Sequence, residues 1–126
     1  MKKLLLALSL LAVPAIAPVV LPSPTLAAAP SALGDLSSFQ TIATDTLKLV
    51  DAGDLAGAQK RITDFETAWD AAEPTLYALD KADWMVVDKA ADGAISSLRK
   101  PKPDAAKAKV AVKKLIATIQ TPSAKK

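Results

Sequence analysis

Apolar residues recur at three- and four-residue steps in four separate stretches of this chain, and no stretch alternates with a period of two. The first stretch runs from about Leu33 to Ala52, with Leu36, Phe39, Ala43, Leu47 and Val50 in step. That spacing is one face of an α-helix. Asp51-Ala-Gly-Asp54 then supplies a terminating glycine and an aspartate N-cap, the usual helix stop and start signals. A second helix is predicted from Leu55 to about Ala72, with Leu55, Ala58, Ile62, Phe65, Trp69 and Ala72 facing inward.

Pro74 follows. It either opens a new helical turn or kinks a continuing helix, because proline lacks the N–H that an interior position donates. A break is the expected arrangement, with Thr75 to Leu79 as a short separate segment and Asp80-Lys-Ala-Asp83 as a turn in which Asp83 caps the next helix. Helix three is predicted from Trp84 to about Arg99, burying Trp84, Val87, Ala91, Ala94, Ile95 and Leu98. Gly93 falls on its outer face, where it costs about 1 kcal/mol relative to alanine. Lys100-Pro-Lys-Pro103 ends that helix and Asp104 caps a fourth, Ala105 to about Gln120, striped with Ala108, Val112, Leu115, Ile116 and Ile119. Four such helices on short connections predict an all-α antiparallel up-and-down four-helix bundle over residues 33–120.

The N-terminus breaks this pattern. Lys2-Lys3, an apolar run from Leu4 and small residues around Ala27 to Ala29 make a secretory signal peptide over residues 1–27. An uncleaved membrane anchor is the rival, since Leu4 to Leu21 approaches spanning length, but Pro14, Pro18, Pro22 and Pro24 interrupt it. The expected compartment is the periplasm or the outside of the cell. Residues 28–32 read as a disordered linker and residues 121–126 as a frayed tail.

Composition narrows the chemistry. The 126 residues contain no histidine and no cysteine, which removes the commonest general base, the thiol nucleophile, imidazole and thiolate metal sites, and a lipoprotein anchor. A metal would need oxygen ligands, which suit hard cations. Charge is segregated: Ala28 to Leu98 holds 12 acidic and 5 basic residues, Arg99 to Lys126 one acidic and 9 basic. An acidic body therefore carries a basic last helix.

Three groups of residues could carry function. Trp69 and Trp84 lie on apolar stripes, where they pack as core or line a ligand cleft near Pro74 to Asp83, with Tyr77 as a partly exposed lid. Glu66, Asp70 and Glu73 share a flank of helix two, and Asp88 and Asp92 a flank of helix three. These are solvated faces or facing carboxylate rows that hold a cation. Lys107, Lys109, Lys113 and Lys114 flank the stripe of helix four; they pack on the acidic body or attach the protein to anionic lipid. Nucleic acid is not an expected partner, because no aromatics interleave the basic cluster.

The run Gly53-Asp54-Leu-Ala-Gly-Ala58, then Phe65-Glu-Thr-Ala-Trp69-Asp70, Pro74, Trp84, Asp88, Leu98-Arg99 and Pro103-Asp104-Ala105 resembles a group of small exported all-helical proteobacterial proteins of uncharacterised function. Members of that group are sometimes labelled histidine kinases by automatic transfer, a label this chain contradicts through its lack of histidine and of a glycine-rich nucleotide loop. A looser resemblance, through the Gly-Asp turn and the Ala-rich helix after it, is to helical periplasmic modules of iron-uptake proteins. Together these readings imply an exported, non-enzymatic binding or interaction protein without a cofactor. Its expected partner is a periplasmic protein or small ligand met through Trp69, Tyr77, Trp84, Lys107, Lys113 and Lys114. The alternatives are a cation-binding accessory of metal uptake, using Glu66, Asp70, Glu73, Asp88 and Asp92, and association with a membrane surface through helix four.

Overall fold

The computed structural model describes residues 32–122. The signal segment 1–27, linker positions 28–31 and tail positions 123–126 lie outside the described residues. Four helices make up the fold: α1 (Ser37–Asp51), α2 (Leu55–Leu79), α3 (Lys81–Leu98) and α4 (Ala105–Gln120). Each packs on its chain neighbours and α4 closes the ring against α1. The architecture is the all-α four-helix arrangement that the stripes predict, with no strand among the described residues.

The core is built from those stripes. Ala43, Ala58, Ile62, Phe65, Val87, Ala94, Leu98, Ala108, Val112 and Leu115 are fully buried. At one end Phe39 sets its ring edge-on to both Phe65 and Trp69, with centroids 5.8 and 5.1 Å apart. The remainder of the interior combines alanines with Ile62, Val87, Leu98, Val112, Leu115 and Ile119. Fully burying a large apolar side chain contributes about 1.5–3 kcal/mol, so the aromatic end is the most strongly held part of the core.

The connection from α1 to α2 follows from Gly53. With φ at +77°, this residue sits in the left-handed region that only glycine enters without strain. The Gly53 N–H donates to the Val50 carbonyl and the Asp54 N–H to the Leu49 carbonyl, at 3.0 and 2.9 Å, the paired bonds of a Schellman ending. Asp54 then accepts from the Gly57 N–H at 2.8 Å and opens α2, so one four-residue stretch ends a helix and starts the next.

Several boundaries differ from the sequence reading. The first helix begins at Ser37, not Leu33. Asp35 accepts from the Ser37 N–H at 2.9 Å, and Leu33 is buried without being helical. The larger correction concerns Pro74, which neither ends α2 nor starts a new segment: the helix runs through it for 25 residues. Pro74 is exposed, so the Asp70 carbonyl that loses its donor can be hydrated. Burying Leu76 and seating Tyr77 on Trp84 at 5.4 Å offset a proline penalty of about 3 kcal/mol.

The turn that follows is shorter than predicted. Asp80 alone, at φ −158° and ψ 104°, separates α2 from α3. Its carboxylate accepts from the Asp83 N–H at 2.9 Å, so Asp80 is the cap, and Asp83, the expected one, lies in the first turn of α3. At the other end Pro122 is buried, so the chain stays attached two residues past α4 instead of leaving the bundle at Thr121.

Candidate functional site

The two tryptophans stack. Their rings, one carried by α2 and the other by α3, are 6.2 Å apart and 8° from parallel. Trp69 is 1% exposed, which makes it core and removes it from the partner surface the sequence suggested. Its indole N–H donates to Asp88 Oδ1 at 3.2 Å. The Trp84 indole N–H is buried and has no acceptor among the described residues. Tyr77 covers the outer side of Trp84 while remaining 39% exposed, and the Lys81 ammonium stands 5.5 Å from its ring centre.

Asp88 is the carboxylate most affected by this environment. Burial pushes its pKa above the ordinary value, and the nearby Asp92, Glu73 and Asp70 charges act in the same direction. The Trp69 hydrogen bond opposes them. The expected cation site does not assemble from these groups. Glu66 turns away to pair with Arg99 at the end of α3, and among the described residues no three acidic side chains gather closely enough to hold a metal.

The basic residues divide between two roles. Lys109 pairs with Asp51 of α1 at 2.8 Å, the packing role expected for the basic helix. Lys107 and Lys114 instead border an open groove between α3 and α4, with Lys89 on the opposite wall. Lys113 is exposed outside it. The groove has a volume of about 500 Å³, and its floor is Ala90, Gly93, Ala106, Val110 and Ala111. Val110 is 68% exposed. Lys89, Lys107 and Lys114 make no ion pair among the described residues, whereas Arg61, Arg99 and Lys109 are each paired across helices.

Gly93 is the residue whose presence the fold does not require. It is mid-helix without positive φ, and a Cβ placed on it would meet nothing within 4 Å. Turn geometry and close helix packing, the usual reasons for glycine, are both missing. What the missing side chain leaves is room in the groove. The stripes directed attention to the inward faces of α3 and α4, so sequence reasoning passed over this outer seam. The signal available for it was a helix-interior glycine on the outer face. No family model, curated protein or solved structure matches this chain.

Proposed function

We propose that this chain is an exported, non-enzymatic binding protein that takes its ligand in the α3–α4 groove. The observation that carries this reading is an open apolar floor, at the size of a small-molecule site, bordered by three ammonium groups that make no ion pair among the described residues. Supporting it, the chain lacks histidine and cysteine, and several of its carboxylates have structural partners. Asp54, Asp80 and Asp104 cap helices, Glu66 and Asp45 pair with arginines, and Asp88 holds an indole. Residues 1–27 would deliver the protein across the membrane as a cleaved signal; among the described residues no helix is long and apolar enough to span one.

The test uses the protein purified as the cell exports it and the neutral solvatochromic dye Nile red. The wild type should raise and blue-shift the dye's emission. Gly93→Leu should abolish that response while its melting temperature is maintained or rises, because leucine is a better helix former than glycine by somewhat less than about 1 kcal/mol. A dye response unchanged by Gly93→Leu, or none from the wild type, overturns the reading.

A further inference from the structure

Resting on that groove reading, the charge around the groove narrows the ligand class. α3 and α4 are antiparallel and joined by residues 99–104, so positions equally far from the connection lie level. Lys89 then faces Lys114 across the groove, and Gly93 faces Val110. Lys107 lies seven residues from Lys114, about 10 Å nearer the connection. One end of the groove is thus flanked by an ammonium on each wall, and its middle, where Gly93 carries no side chain, is apolar.

We propose that the groove binds a single-chain anionic amphiphile, a fatty-acid-like carboxylate whose headgroup sits between Lys89 and Lys114 and whose alkyl chain lies over Gly93 and Val110. Charge complementarity selects the headgroup. Three cations border the groove and no carboxylate lines it, so an anion gains attraction without displacing an existing partner. Size and shape select a single chain. The volume of about 500 Å³ falls in the range of about 300–1,000 Å³ of small-molecule sites. The apolar stretch between the two helices suits an isolated alkyl chain.

Isothermal titration of the full exported protein with laurate, dodecyltrimethylammonium and dodecyl maltoside, each below its micelle concentration, tests the assignment. Laurate should bind at least about tenfold more tightly than the other two, a difference of about 1.4 kcal/mol, and should lose that advantage as salt is raised. The Lys89→Gln/Lys114→Gln pair should bring laurate to the affinity of the maltoside. Lys107→Gln should change it less, and Gly93→Leu should remove binding of all three. Equal affinity for the three amphiphiles overturns the anionic assignment and leaves the Nile red result standing. Absence of laurate binding, with sedimentation on phosphatidylglycerol vesicles that the lysine pair abolishes, overturns it in favour of a membrane surface. If Nile red binding fails as well, the groove reading itself falls.

Discussion

Replacing Asp88 separates two things that its carboxylate does. It accepts the indole N–H of Trp69, and it carries a charge that burial and the neighbouring Asp92, Glu73 and Asp70 disfavour. Asparagine keeps an acceptor oxygen in nearly the same place and removes the charge. Alanine removes both. Trp69 is 1% exposed, so in Asp88→Ala its donor loses its partner inside the protein, which costs about 1–3 kcal/mol. The 3.2 Å bond is long and Asp88 is only half-buried, which puts the expected loss in the lower half of that range. Asp88→Asn exchanges a charge-assisted bond for a neutral one but relieves the charge repulsion. It should match or exceed the wild type at neutral pH by under about 1 kcal/mol.

The pH dependence of this pair has a definite sign. A carboxyl whose pKa is raised on folding binds its proton more tightly in the folded state than in the unfolded one, so its contribution to stability falls as pH rises between the ordinary value and the raised one. The wild type should therefore gain on Asp88→Asn as the pH is lowered from neutral through that window. Urea unfolding followed by tryptophan fluorescence, at pH 7 and near pH 4, about the ordinary carboxylate value, measures both effects. If Asp88→Asn destabilises as much as Asp88→Ala at pH 7, the ionised carboxylate is stabilising and the reasoning from burial and repulsion is wrong. If Asp88→Ala equals the wild type, water satisfies the Trp69 indole.

Two further outcomes are expected. Gly93→Ala should stabilise the fold by about 0.5–1 kcal/mol through helix propensity, read as a rise in the urea midpoint, and a decrease would show that the glycine has a structural role. Asp80→Ala should cost about 0.5–2 kcal/mol as a lost N-cap; thermal melts should show this loss exceeding that of Asp104→Ala, because the Asp80 cap bond is part-buried at 2.9 Å and the Asp104 one exposed at 3.1 Å.

The bundle was legible because burial follows the stripes: Ala43, Ile62, Phe65, Val87, Val112 and Leu115 all reach the core positions that their spacing implies. The end of α2 was not. Proline has the lowest intrinsic helix propensity, and the packing of Leu76 and Tyr77 that outweighs it depends on α3. Asp80 and Asp83 are chemically equivalent caps, and the choice between them rests on where α2 ends. Glu66, Asp70 and Glu73 do share one flank in sequence, but a flank does not say which partner faces it. Arg99, 33 positions after Glu66, takes its carboxylate. The groove lies on the seam between two outer faces, and a seam exists only once both helices are placed.

The length of α2 has a mechanical consequence. At 25 residues it extends about 37 Å, and α1 begins level with Trp69, where Phe39 meets that ring. The ten residues from Asp70 to Leu79 form a cantilever, with α3 as the helix that supports it. This arm also contains Pro74 and lacks its interior donor. Opening free energies within a native protein follow local burial, and Leu76 is the one buried side chain of the arm. Under load or heat the bundle should therefore yield first at the α2–α3 tip. Trp84 would be uncovered there while the Phe39–Phe65–Trp69 cluster, and with it the remainder of the bundle, stays closed.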